Sequence, residues 1–186
     1  MERGAGQSTA TQRQSDPHPT TIRHVHVRRA TLRDADLVRH ITRAVYVGEG
    51  WATTPAYIQE LLDVERRIVE NTVLLADAVG TLAIAVPPHP SAHVAKPGEI
   101  EVRMLCVLPD ARRVGVAQAL MKQVEALPAS RVVLSTEQKM TGAQKLYEAL
   151  GYERTPERDW FIHGEKLLTY AKQPVPGTGA SDHREG

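Results

Sequence analysis

Residues 99–127 read as a strand followed by a helix, and this unit constrains the fold more than any other stretch of the chain. The run Glu99 to Val107 begins with alternating charged and apolar side chains, which is the period of a half-buried strand. Pro109 ends its pairing, and a helix is predicted from about Arg112 to Leu127, where Pro128 stops it. Because a strand that feeds a helix needs a sheet to return to, we predict an α/β fold.

Strand and helix signals alternate along the rest of the folded region. We predict a first strand around Val25 and Val27, and a helix after the capping-box pattern Thr31–Asp34. A further helix begins at Thr54-Pro55 and presents one apolar face as far as Ile68. Later elements are a hairpin over 72–86, a strand over 131–136, a helix ended by Gly151 and a closing strand over 167–170. This order predicts a mixed central sheet of six or seven strands with helices on both faces.

Composition divides the chain into one domain and two tails. Residues 1–21 contain only three apolar residues, and 173–186 have a similar composition, so we predict disordered tails around a folded domain at 22–172. Lys and Arg number 23 against 22 Asp and Glu, which gives no reason to expect nucleic acid or an anionic membrane as a partner. One cysteine and the lack of a long apolar run indicate a cytoplasmic protein.

The turn between the long strand and its helix has the features of an anion site. In RMLCVLPDARRVGVA, from Arg103 to Ala117, Gly115 and Ala117 allow close approach to the backbone where the helix begins. Free N–H groups and the helix dipole attract phosphate at such an N-terminus, and Arg112 and Arg113 add positive charge. On the turn alone, a glycine-containing connection with two solvated arginines is an equal alternative.

Two motifs stand out, Arg112-x-x-Gly115-x-Ala117 after the long strand and LSTEQKMTGAQKLYEALGYERTPERDW further along the chain. The first resembles the [QR]-x-x-G-x-[GA] signature of the GNAT acetyltransferases, and the second resembles the next motif of that family. The pattern is similar to that of actinobacterial members with RMLAV…PERDW, and the resemblance covers roughly 22–172. It implies the GNAT fold and an acetyl-CoA-dependent N-acetyltransferase. The sequence departs from the family at Arg113-Val114, where Gly-Arg is usual, and at Met140, where an Asn often bonds pantetheine.

The resemblance also implies roles for individual residues. Backbone groups of Leu105, Cys106 and Val107 would bond the pantetheine arm. Tyr147 would be the general acid that protonates the CoA thiolate. The pyrophosphate would be held by backbone N–H groups of Arg112, Arg113, Val114, Gly115, Val116 and Ala117.

The long strand carries the candidate base. Glu99, Glu101 and Arg103 share one strand face by period two, and acids on this strand often serve as the base in related enzymes. We predict Glu101 as the base, with Glu99 or water as alternatives. A cross-strand ion pair of Glu101 with Arg103 or another basic neighbour is the structural alternative. Tyr147 has the alternative of being a core residue on its helix.

Other reactive side chains are assigned lesser roles. Cys106 lacks a readable activating base, so it is not predicted to be a nucleophile. His24, His26, His89 and His93 lack a further ligand at suitable spacing, so no metal is predicted. Trp51 is expected to line the substrate cleft or to pack beside it.

The acceptor remains open in the sequence. If they face the cleft, Arg103 and also Arg158 would favour a small amine with a carboxylate, such as glutamate. A protein N-terminus or a lysine side chain is the alternative acceptor. A CoA-sensing module that has lost its chemistry is the alternative that is not an enzyme. The sequence allows a homodimer.

Overall fold

The computed structural model describes residues 24–162 and 164–173. The predicted tails, 1–21 and nearly all of 173–186, therefore lie outside the described residues. Within the described residues the chain forms eight strands and five α-helices. The strands are β1 (Val27–Arg29), β2 (Thr72–Ala76), β3 (Gly80–Ala85), β4 (Glu99–Val107), β5 (Arg131–Glu137), β6 (Glu153–Arg154), β7 (Trp160–Ile162) and β8 (Glu165–Lys172). The helices are α1 (Ala35–Tyr46), α2 (Pro55–Leu62), α3 (Val64–Glu70), α4 (Val116–Glu125) and α5 (Thr141–Ala149).

The strands form one mixed sheet in the order β1-β2-β3-β4-β5-β8-β6, and β7 pairs with another part of β8. Only β4 and β5 run parallel, and the remaining pairs in the described sheet are antiparallel. The buried apolar side chains form two cores. The first lies between the sheet and α4 and includes Tyr147 of α5, and the second lies under α1 and α3. The prediction of a mixed sheet with helices on both faces is confirmed. The sheet has eight strands rather than six or seven because β6 and β7 are too short to show an alternating pattern.

The segment after Thr54 is two helices, so the prediction of one continuous helix is wrong. The Thr54 hydroxyl accepts a hydrogen bond from Tyr57 N–H, and Pro55 occupies the first turn, as the sequence indicates. Asp63 (φ −78°, ψ 66°) then interrupts the helical backbone between α2 and α3. The Arg67 side chain donates to the Leu61 carbonyl, which satisfies one of the carbonyls at the end of α2. The apolar spacing continued through the break because Leu61 of α2 is buried like Val64 and Ile68 of α3, which pack in the core under α1.

A bulge in β4 sets which side chains face which helices. Arg103 pairs with Ala83 and Cys106 with Thr81, so two residues of β4, Met104 and Leu105, lie opposite one residue of β3. Met104 has φ 52°. Strict alternation would place Cys106 on the face of Val102, but the bulge moves it to the α1 side.

Candidate active site

Strands β4 and β5 separate at their carboxyl ends. Their last paired residues are Val102 and Leu134, although β4 continues to Val107 and β5 to Glu137. Beyond that point β5 pairs only with β8, on its other edge. The edge of β4 that faces β5 is therefore open at Leu105 to Val107, and two neighbouring cavities lie at this opening.

The turn after β4 leaves N–H groups without intrahelical acceptors at the start of α4. Arg113 (φ 62°) and Gly115 (φ 91°) both adopt left-handed backbone, which favours glycine at the second position. The first intrahelical bond runs from Ala119 N–H to the Gly115 carbonyl, and no side chain caps the helix. The N–H groups before Ala119 and the positive end of the helix dipole have the arrangement that favours an anion. The predicted helix start at Arg112 is thus four residues early, because the turn itself is not helical.

A cleft of about 440 Å³ opens in front of this turn, and we call it the α4 cleft. Its walls come from β4, the turn, the first residues of α4, α5 and the loop after α1. The lining residues are Val45, Glu49, Trp51, Leu105, Val107, Ala111, Arg112, Arg113, Gly115, Val116, Ala117, Gln118, Met140, Gly142, Ala143, Leu146 and Tyr147.

Seven of the nine residues predicted for cofactor binding line the α4 cleft; the two that do not are Val114 and Cys106. Val114 is half exposed. The Cys106 side chain packs in the core under α1, so only its backbone lies on the open edge of β4. Burial raises the pKa of the Cys106 thiol to about 12, which agrees with the prediction that it is not a nucleophile.

The second cavity, of about 130 Å³, lies between β4 and β5, and we call it the β5 cavity. It shares five lining residues with the α4 cleft, namely Trp51, Leu105, Met140, Ala143 and Tyr147. The remaining lining residues are Tyr46, Thr53, Thr54, Tyr57, Val102, Met104, Ser135, Thr136, Glu137, Lys139, Ile162, Glu165 and Leu167. The structure therefore brings Trp51 and Tyr147 to the boundary between the two cavities.

Tyr147 is buried, with 6% of its surface exposed. The pKa of Tyr147 is raised well above its ordinary value. Burial is the main cause, and the neighbouring Cys106 and Tyr170 contribute less. The Tyr147 ring packs against those of Tyr152 and Tyr170. Among the described residues its hydroxyl has no hydrogen-bond partner. The raised pKa keeps this phenol protonated, so a proton is present at the boundary of the two cavities, although the same shift makes the phenol a weaker acid.

Glu101 is almost fully buried and lines neither cavity. Its Oε2 accepts hydrogen bonds from Val94 N–H (2.7 Å) and Ala95 N–H (3.1 Å), so it holds the loop between β3 and β4. Burial raises the pKa of Glu101, and these hydrogen bonds oppose the rise only in part. The alternative of an ion pair with Arg103 is not formed, because the Glu101 carboxylate faces backbone N–H groups and Arg103 approaches Glu60 at 3.8 Å.

The two arginines predicted to read a substrate carboxylate lie outside the β5 cavity. Arg158 donates to both oxygens of Glu99, at 2.7 Å and 3.0 Å, and Arg103 faces Glu60. Burial raises the pKa of Glu99, but the bonds from Arg158 and from Lys96 N–H bring it below its ordinary value. Both arginines are thus engaged by carboxylates of the protein.

Sequence reasoning missed several residues that the cavities bring together. Tyr46, Tyr57 and Glu137 line the β5 cavity, and Lys139 bridges Glu137 (2.9 Å) and Glu165 (3.3 Å). The only signal in the sequence was their position at the ends of predicted strands and helices.

The histidines that the structure describes do not assemble a metal site. No group of three or more potential metal ligands occurs among residues 24–162 and 164–173. His93 packs edge-on against Trp160 at 4.7 Å, and His89 Nδ1 lies 2.6 Å from the Ser91 hydroxyl. In the same residues no helix is long and apolar enough to span a membrane.

Comparison with known proteins gives a consistent result. Residues 69–154 match the family model described as an acetyltransferase (GNAT) domain. No sequence among the curated proteins matches the chain. A solved GNAT-family protein from Desulfovibrio desulfuricans has a TM-score of 0.64 and 18% identity, over 81% of this chain and 99% of that one.

Two further solved structures contain a ligand. PaiA N-acetyltransferase from Thermoplasma acidophilum, in complex with coenzyme A, has a TM-score of 0.60 and 11% identity over 78% of this chain and 97% of that one. YncA from Salmonella typhimurium, with acetyl-CoA, has a TM-score of 0.56 and 15% identity over 86% and 99%. At these identities the three structures show a shared fold.

Proposed function

We propose that this chain, whose residues 69–154 match the GNAT acetyltransferase domain, transfers an acetyl group from acetyl-CoA to a small cationic primary amine. The observation that carries the proposal is the shared boundary of the two cavities. The α4 cleft offers backbone donors for a pyrophosphate, the β5 cavity offers room for an amine, and Tyr147 lies where the two meet.

The residues present fit acetyl-CoA. The uncapped N–H groups of α4 and Gly115 suit its pyrophosphate, and the open edge of β4 from Leu105 to Val107 suits its pantetheine arm. Met140 lines the cleft without an amide, so the pantetheine contact common in the family is not made by that side chain. Acetyl-CoA supplies an activated acetyl thioester when bound.

Tyr147 holds a proton on its hydroxyl at the cavity boundary and delivers it to the departing sulfur. Glu101 is the proposed base, because its raised pKa makes it a better proton acceptor than an exposed carboxylate. Since Glu101 lines neither cavity, the proposed transfer of the amine proton to it runs through water. Glu99 is excluded from this role by its two bonds to Arg158.

The lining of the β5 cavity supports a cationic acceptor rather than glutamate. Three aromatic residues, Tyr46, Trp51 and Tyr57, line the cavity together with two acidic residues, Glu137 and Glu165. Lys139 neutralises only one of the two carboxylate charges. Aromatic faces and a residual negative charge attract an ammonium ion and repel a carboxylate.

A thiol-release assay across an amine panel tests the proposal. We expect alkyl amines and diamines to be acetylated faster than glutamate or a peptide with a free N-terminus or lysine. Glu137→Gln should raise the KM for the best amine about tenfold, as expected for one lost charged contact, without changing the KM for acetyl-CoA. Glu65→Gln, on the exposed side of α3, is the matched control.

Each alternative function predicts a different result in the same assay. Preference for peptides would favour a protein acetyltransferase. Acetyl-CoA binding without thiol release for any amine would favour a CoA-sensing module.

A further inference from the structure

Glu49 connects the α4 cleft to the aromatic wall of the β5 cavity. Its Oε1 accepts a hydrogen bond from Arg112 Nη2 at 2.5 Å, and its Oε2 accepts one from Trp51 Nε1 at 3.0 Å. Arg112 also donates from Nε to the Val107 carbonyl at 3.1 Å. One carboxylate therefore links the turn before α4 to the indole that lies between the two cavities.

The chemistry of this link requires a carboxylate. Both partners are obligatory donors, because a guanidinium and an indole N–H have no acceptor atom. Glu provides two acceptor oxygens, whereas Gln provides one oxygen and an NH₂ group that would face a donor. Glutamate is therefore the residue whose length and acceptors serve Arg112 and Trp51 together.

The backbone of the loop after α1 fixes Glu49 in place. Gly48 N–H donates to the Arg43 carbonyl, and a Cβ at Gly48 would lie 2.3 Å from the Ala44 carbonyl oxygen. No other residue fits there without a shift of the backbone. Ala52 N–H then donates to the Tyr46 carbonyl at 2.8 Å, which closes the loop around Glu49 and Trp51.

We propose that Glu49 is a positioning residue that transmits occupancy of the turn at 112–117 to the indole of Trp51. The inference rests on the proposed function, because the occupant is the pyrophosphate of acetyl-CoA. A pyrophosphate competes with Glu49 for the Arg112 guanidinium, whose donors suit phosphate as well as carboxylate. As Arg112 turns toward phosphate, Glu49 loses one of its two bonds and Trp51 changes its environment at the acceptor wall. Cofactor binding thereby prepares the β5 cavity for the amine.

A truncated ligand separates this route from direct contact, since Trp51 also lines the α4 cleft. The probe is 3′-phosphoadenosine 5′-diphosphate, which contains the pyrophosphate but no pantetheine arm. We expect calorimetry to detect binding of this probe. The shift in tryptophan emission should reach its midpoint at the same probe concentration as binding does. The shift should be absent from Trp51→Phe, which retains Trp160 and so identifies the reporting indole.

Glu49→Gln should bind the probe with unchanged affinity or with an affinity up to about fivefold higher, because the charge that competes for Arg112 is removed. The gain is small because exposed ion pairs contribute little. The variant should nevertheless lose the emission shift, and Glu65→Gln should keep it. A role confined to loop support would instead weaken probe binding.

Two results would overturn the inference in different ways. Saturable probe binding with an unchanged Trp51 signal, or an intact shift in Glu49→Gln, would remove the coupling and leave the cofactor site standing. Calorimetry that detects neither the probe nor acetyl-CoA would remove the cofactor site, and the coupling with it.

Discussion

The α4 cleft and the β5 cavity adjoin each other but are built in different ways. The proposed pyrophosphate site in the α4 cleft depends on one turn of the chain, 112–117, whose backbone N–H groups are its donors, although other elements complete the cleft wall. The β5 cavity is assembled from side chains of α1, α2, β4, β5, α5 and the β7–β8 hairpin. A site made of contiguous backbone is encoded locally, whereas a site made of distant side chains is encoded by the whole fold. The first is therefore suited to a constant ligand and the second to a variable one.

The largest expected effect comes from filling the α4 cleft. Gly142 lies on α5 in the cleft wall, and a Cβ added there meets nothing within 4 Å. Gly142→Trp should abolish detectable acetyl-CoA binding in calorimetry while the protein stays folded. Gly115→Trp should also abolish binding, but its φ of 91° adds backbone strain, so its melting temperature should fall as well.

Lys145→Trp is the control for Gly142→Trp, because Lys145 is an exposed residue of the same helix that does not line the cleft. Unchanged acetyl-CoA affinity in a folded Gly142→Trp protein would mean that the cofactor does not occupy the α4 cleft. The distinction between the two cavities would then lose its basis.

Tyr147→Phe probes the boundary that the two cavities share. The substitution keeps the ring packing against Tyr152 and Tyr170 and removes only the proposed proton donor. Turnover should fall about 10²–10⁴-fold, the usual contribution of a positioned acid, with little change in acetyl-CoA affinity. Steady-state kinetics with the best amine of the panel gives the measurement.

Tyr152→Phe is the matched control for Tyr147→Phe. Tyr152 belongs to the same buried aromatic cluster but lines neither cavity. Its loss of a hydroxyl should leave turnover per folded molecule near that of the natural protein. Equal turnover losses in both variants would indicate a packing effect and remove Tyr147 as the acid.

The same difference between local and distant encoding explains what the sequence predicted. Gly115, Ala117 and the two arginines predicted the anion site because a helix N-terminus is a local feature. The bulge at Met104 has no local signal, so the side-chain faces of β4 beyond it did not follow from alternation. The sheet, the long strand and α4 were predictable because their apolar periods extend over many residues.

Sequence patterns could not predict which side chains line the β5 cavity. Arg103 was assigned to substrate from its strand face, but the approach of Glu60 from α2 depends on how α2 packs on the sheet. Arg158 and Glu99 are 59 residues apart, and their pairing is likewise tertiary. Glu49 required the fold to bring its loop to Arg112, 63 residues away.

The smallest expected effect concerns Glu101, which lies outside both cavities. As a base acting through water, Glu101→Gln should lower turnover about 10–10²-fold and remove the fall in activity at acidic pH. Because burial raises the pKa of Glu101, its stabilising contribution is present below its unfolded pKa and is lost as pH rises through the folded pKa. Melting curves between about pH 4 and pH 8 should therefore show Glu101→Gln gaining stability relative to the natural protein as pH rises.

Glu99→Gln on the same strand should show the opposite dependence on pH. The pKa of Glu99 is lowered, so its ion pair with Arg158 stabilises the protein above the unfolded pKa and is lost as pH falls. Glu99→Gln should therefore destabilise the protein at neutral pH, by about 1.5–3 kcal/mol as expected for charged hydrogen bonds, and approach the natural stability in acid.

If Glu101→Gln keeps full turnover per folded molecule and changes only the melting temperature, the role of Glu101 is to stabilise the β3–β4 loop. Proton transfer from the amine would then rest with water in the β5 cavity.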